Sequence, residues 1–128
     1  MSHVPEDLRY TEDHEWLRFE SGAGTAAVGI TEYAQGELGD VVFLELPAVG
    51  TEVETRGACG TIEAVKTVAD LYAPVAGEIV EVNGALDDHP ELVNRDPYGE
   101  GWMIKIRVSD PGEVDGLLDA AAYGGHIG

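Results

Sequence analysis

Punctuation constrains this chain most. Its 17 glycines and 6 prolines are spread along 128 residues, and ahead of residue 110 they cut the apolar pattern into short pieces. Residues 15–19 alternate apolar and polar, Ser21-Gly22-Ala23-Gly24 turns, and residues 25–30 return, which predicts a hairpin. Residues 41–46 form the strongest strand pattern, stopped by Pro47 and Gly50. Further short strands are expected near Val53 and over 58–65, 68–72, 77–82 and 102–108, with Asn83-Gly84 as a turn. Helical signals are marginal. Thr31 caps a turn or two over 32–35, ended by Gly36 or Gly39, and Asp88 caps one turn through Val93. An irregular loop is expected over 94–101.

One longer helix is expected at the end. Asp110 is its N-cap, with Pro111 and Glu113 at the first and third positions. Val114, Leu117, Leu118, Ala121 and Ala122 fall on one face, and Gly124-Gly125 stops it ahead of fraying residues. Many short strands with helices at the margins predict a mainly β fold, a sandwich or flattened barrel. Gly39-Asp40-Val41-Val42 echoes Gly77-Glu78-Ile79-Val80, as in a fold built from two related parts. The length fits a single domain over 1–128, with its core at about 10–123.

Charge narrows the function. Seven basic residues against 25 acidic give a formal net charge of −18. Such a surface lacks the basic stripe that replaces phosphate counterions, and anionic membranes repel it. No run of 18 apolar residues occurs, and the polar, acidic first residues carry no targeting pattern, so the expected location is the cytoplasm. The lone Cys59 forms no internal disulfide, and its small neighbours point to a buried thiol. Histidines at 3, 14, 89 and 126 have no metal-ligand spacing. No phosphate-binding loop or nucleophile motif is present, so the chain reads as a non-enzyme.

Lys66 is the anomaly. It lies between Ile62 and Ala64 on one side and Ala69, Leu71 and Ala73 on the other, two alternating segments that put it at a hairpin tip. A solubilising edge lysine is the ordinary explanation. Here, however, only Lys66 and Lys105 escape replacement by arginine or acid. A primary amine forms an amide where a guanidinium does not, so a single exposed tip amine suits covalent attachment of a swinging cofactor.

The order of motifs over residues 10–123 resembles the glycine cleavage system H-protein family. It runs Tyr10-Thr11, His14-Glu15-Trp16, Gly29-Ile30-Thr31, Ala34-Gln35 and Leu38-Gly39-Asp40-Val41-Val42-Phe43, then Leu46-Pro47 and Glu63-Ala64-Val65-Lys66. Ala73-Pro74, Gly77-Glu78, Val82-Asn83, Asn94 and the run from Asp96 to Trp102 complete it. The resemblance implies a hybrid barrel-sandwich fold carrying lipoate in amide linkage on Lys66. It implies that Glu63 and Gly77, three before and eleven after the lysine, guide the lipoyl ligase. It also implies that Glu15 and Asp70 line a cleft for the aminomethyl-loaded arm. Ala64 and Thr67 depart from the serine and alanine frequent in the family.

As a monomeric carrier, such a protein takes an aminomethyl group from a pyridoxal-phosphate glycine decarboxylase to a tetrahydrofolate-dependent aminomethyltransferase. A flavin dihydrolipoyl dehydrogenase then reoxidises it. Three other readings stay open: an H-like protein relaying or storing lipoate, a biotinyl carrier, and an unmodified β-rich interaction module. Val65 and Thr67 argue against the biotinyl pattern, which has methionines beside the lysine.

Overall fold

The structure, a computed structural model, describes residues 4–20 and 22–127. Ser21, His3 and the other terminal residues read above from sequence lie outside the described residues. In chain order the elements are β1 (Arg9–Tyr10), β2 (Glu15–Glu20), β3 (Thr25–Ile30), α1 (Glu32–Leu38), β4 (Val41–Glu45), β5 (Glu52–Val53) and β6 (Ala58–Ala64). They continue as β7 (Val68–Tyr72), β8 (Gly77–Val82), α2 (Ala85–Asp88), α3 (Leu92–Arg95), β9 (Ile104–Val108), α4 (Gly112–Asp115) and α5 (Ala120–Ile127).

Nine strands form two antiparallel sheets among the described residues, one of six in the order β1-β2-β3-β9-β8-β5 and one of three in the order β4-β6-β7. Alternation along β3 shows how the sequence builds this. Ala26, Val28 and Ile30 point into a main core shared with Leu44, Ile62, Leu71, Ile79, Ile104 and Ile106. Ala27, on the opposite face, joins a second cluster of Leu8, Tyr10, Trp16 and Tyr123. On that face the Trp16 indole occupies the space above Gly29, where a β-carbon would stand only 2.8 Å from the ring. Both faces of β3 are thus covered, and five of its six residues are buried.

The Thr31 cap forms as expected: its Oγ1 accepts the Ala34 N–H at 3.2 Å. The helix passes Gly36 and stops at Gly39, whose φ of +81° favours glycine. Three expectations fail. Asp88 does not cap a helix; it is the last residue of α2, which Asn83 begins by accepting the Ala85 N–H at 3.2 Å. Asn94 and Arg95, placed in a loop from sequence, form the end of α3. The third failure is the closing helix, which is two helices.

Leu118 breaks it. This residue exchanges both backbone hydrogen bonds with Tyr10, at 2.8 and 2.9 Å, and a backbone so engaged cannot continue a helical ladder. The break sends Leu117 to the main core and Leu118 to the second cluster. Asp110 still accepts the Gly112 N–H at 3.0 Å, but Glu113 does not reach back to it. Its two oxygens instead accept from Thr55 Oγ1 and the Ala76 N–H, at 2.7 and 3.1 Å. Asp119 then starts α5 by accepting the Ala122 N–H at 2.8 Å. That helix runs through Gly124-Gly125 to Ile127, because Tyr123 and Ile127, four apart, both pack on the second cluster.

Candidate functional site

Lys66 stands at the tip of the β6–β7 hairpin, as its sequence pattern requires, and is exposed. Pairing runs from Thr61 with Asp70 through Ile62 with Ala69 to Glu63 with Val68, and the Ala64 N–H donates to the Thr67 carbonyl at 2.9 Å. Neither Val65 nor Lys66 has a positive φ, so the tip is not one of the primed turns that need Asn-Gly. It is held from outside instead. The Val65 N–H donates to the Asp40 carbonyl at 2.9 Å, tying the tip to the corner between α1 and β4.

That corner supports the lysine. A β-carbon on Gly39 would lie 3.3 Å from Cγ, Cδ and Cε of Lys66, so the aliphatic stem rests directly on glycine backbone. Asn94 fixes the corner from the far side. Its Nδ2 donates to the Gly39 carbonyl at 2.8 Å and to Gln35 Oε1 at 2.9 Å, while its Oδ1 accepts the Val41 N–H at 2.8 Å. Sequence reasoning missed Gly39 and Asn94 as supports, although both fall in the motifs that carry the family resemblance.

The other candidates scatter. Glu63 is exposed on the outer face of the three-stranded sheet, between Phe43 and Val68. Gly77 is buried in the other sheet, where a β-carbon would run into the Arg107 carbonyl and stand 2.6 Å from Ile106 Cγ2. Packing alone therefore requires glycine there. Asp70 is exposed on β7, 3.5 Å from the Tyr72 hydroxyl.

Glu15 is only 1% exposed. Its Oε1 accepts from Thr11 Oγ1 at 2.7 Å and its Oε2 from the Tyr72 N–H at 3.2 Å, bridging β2 to β7. Burial pushes its carboxyl up to about 7, against the opposing pull of those two hydrogen bonds. The structure thus brings Glu15 to the backbone of β7 two residues from Asp70, with one carboxylate inside and the other in solvent. Cys59 is partly buried, and burial, with Glu15 nearby, raises its thiol to about 11.

A polar spine runs behind Glu15. His14 Nδ1 lies 2.9 Å from the Tyr123 hydroxyl, which lies 2.7 Å from Thr31 Oγ1, and the Tyr123 ring stacks on Tyr10 at 4.6 Å. Burial, and His126 beside it, lower the His14 pKa. Among the described residues no group of three or more His, Cys, Asp or Glu is arranged to hold a metal ion, and no helix is long and apolar enough to cross a membrane.

With this geometry in hand, comparison with known proteins decides the family. The glycine cleavage H-protein family profile matches residues 8–127. The chain belongs to that family. A glycine cleavage system H protein from Chlorobium limicola is 60% identical over 125 residues, 98% of each chain. One from Halorhodospira halophila is 56% identical over 123 residues, covering 96% of this chain and 94% of that one. The crystal structure of a glycine cleavage system H protein from Mycobacterium marinum superposes with a TM-score of 0.88 at 44% identity, over 97% of this chain and 98% of that one. The two sheets, short helices and C-terminal helix are accordingly the hybrid barrel-sandwich fold of this H-protein family.

Proposed function

We propose that this H-family chain is the lipoyl carrier of a glycine cleavage system in the cytoplasm, acting as a monomer and as a shared substrate of other enzymes. The observation that carries the reading is Lys66: an exposed primary amine at a hairpin tip, its stem supported by Gly39 and its turn tied to Asp40. An amine so presented fits an amide-linked arm. A lipoyl ligase supplies the activated lipoyl carbonyl; Nζ adds to it, loses a proton and displaces the activating group. Glu63, on the same hairpin, is the side chain best placed for the ligase to read. Gly77 contributes to that recognition by holding the β8 backbone against β9.

Once attached, lipoate supplies a strained disulfide that accepts a one-carbon unit together with two electrons. The chain contributes tethering, which raises the arm's local concentration at each partner. The partners are a pyridoxal-phosphate glycine decarboxylase, a tetrahydrofolate-dependent aminomethyltransferase and a dihydrolipoyl dehydrogenase. Asp70, exposed on β7, holds the cationic amine of the cargo. Glu15 acts behind it, fixing the β7 backbone through the Tyr72 N–H.

Intact mass after incubation with lipoate, ATP and a lipoate ligase tests the attachment. The wild-type chain gains one lipoyl group and Lys66→Arg gains none, with Lys105 left untouched in both. A lipoyl group on Lys66→Arg, or none on the wild type, ends this reading.

A further inference from the structure

The outer face of the three-stranded sheet changes character along its length. Register places Phe43, Glu63 and Val68 in one row across β4, β6 and β7, and Glu45, Thr61 and Asp70 in another. The row between them contains Leu44 and Ile62, both buried, so these two rows share the solvent side. The first row lies nearer the lysine tip. Around it stand Val42, Phe43, Val65 and Val68, exposed by 54, 49, 71 and 59%. Glu63 stands within this row between Phe43 and Val68, and the carboxylates of Glu45 and Asp70 lie beyond it.

This apolar collar has a structural cause. Between Val41 and Phe43 the pairing with β6 shifts by one residue, a bulge that suspends the alternation of β4. Val42 and Phe43 therefore both face water, where a regular strand would turn one of them inward. Of the five large hydrophobic side chains exposed among the described residues, these two and the pair flanking Lys66 are gathered at the tip; only Val49 lies elsewhere.

We infer that this face is the docking surface for the enzyme that acylates Lys66, which meets it with apolar side chains around the opening for the lysine and basic side chains farther back. The inference rests on Lys66 as the attachment point. A protein that closes over that amine must cover the collar, because Val65 adjoins the lysine and Val68 follows it by two residues. A second copy of this chain is a poor occupant, since a formal charge of −18 and three flanking acids repel it. The acids speed encounter with a basic partner, and the collar, once dry, slows its departure.

Initial rates of lipoyl transfer by a lipoate ligase, measured against carrier concentration with lipoate and ATP saturating, test the face. Val42→Ser/Phe43→Ser should raise KM at least tenfold and leave kcat within about twofold, because the reacting amine is untouched. Val49→Ser makes the same chemical change outside the collar and should stay within twofold in both. Thermal melting of each variant checks folding, and Phe43→Thr serves if the double variant melts early. A KM for both collar variants within twofold of the wild type, or a change matched by Val49→Ser, overturns the docking face alone. Failure of the wild-type chain to gain any lipoyl group overturns the carrier reading and this inference with it.

Discussion

The side-chain stem of Lys66 runs across Gly39, close enough that a β-carbon there would sit 3.3 Å from three of its carbons. Gly39 also adopts φ +81° and ψ −160°, a region that residues with a β-carbon scarcely enter. Gly39→Ala should therefore cost roughly 1–3 kcal/mol of stability and displace the stem. Loading by a lipoate ligase should slow about tenfold, as expected when a reacting group is shifted. Gly36→Ala is the comparison: it lies inside α1 with nothing within 4 Å of the added methyl. It should gain about 0.5–1 kcal/mol from helix propensity and load normally. Melting curves and loading rates at a temperature where both variants are folded separate the two effects.

Glu15 is held protonated more readily in the folded chain than in the unfolded one. Its carboxyl rises from 4.5 to about 7 on burial, so the native state binds the extra proton in that interval. Stability should be undiminished by this group below pH 4.5 and should fall as pH rises to about 7, by roughly 3.5 kcal/mol at most from a linkage of about 1.4 kcal/mol per pH unit. Glu15→Gln keeps the protonated shape without the charge. It should destabilise little at low pH and become the more stable protein above pH 7. Denaturant midpoints at pH 5 and 8 read this directly, and an unchanged difference between the two pH values would falsify the buried-carboxylate account.

Its neighbour His14 has the opposite slope. Burial, then the nearby His126, hold its pKa below the ordinary 6.5, so the native state resists the proton that the unfolded state takes up. The stability it contributes is present above pH 6.5 and is lost as pH falls through the native pKa. Asp13 and Glu37 partly oppose this, and the rings of Tyr33, Tyr123 and His126 surround the imidazole. His14→Gln should flatten the acid limb of the melting temperature, leaving the Glu15 slope exposed. Tyr123→Phe removes the hydroxyl that joins His14 to Thr31 and should cost about 1–2 kcal/mol near neutral pH.

The strands were legible because period-two alternation and glycine or proline stops are local signals, and Lys66 could be placed at a tip from the five apolar residues Ile62, Ala64, Ala69, Leu71 and Ala73. What escaped the sequence was long-range backbone pairing. Nothing in the 3.6-residue pattern after Asp110 reveals that the Leu118 backbone belongs to Tyr10, which splits the expected helix in two. The two-residue β1 is too short to show alternation. The same holds at the site: Asn94 supports the lysine through bonds to residues 53 to 59 positions away, and such partners have no periodicity to read. The burial of Glu15 was not legible either. Its two donors, the Thr11 hydroxyl and the Tyr72 N–H, meet only when β2 and β7 come together.

Net charge makes the last prediction. With 25 acidic residues against 7 basic ones, the field around the carrier is attractive only to basic surfaces. Steering of this kind acts over the screening length, roughly 8 Å at physiological ionic strength and 3 Å at 1 M. Raising salt from about 0.05 to 0.5 M should therefore slow association with the glycine decarboxylase by about tenfold or more. The effect should appear in kcat/KM measured with the lipoylated carrier, and kcat at saturation should hold steady. Neutralising the outer-face acid Glu45 with glutamine should shallow the salt slope, because one fewer charge remains to be screened. Kinetics that ignore ionic strength would remove charge steering as the means by which the two proteins meet.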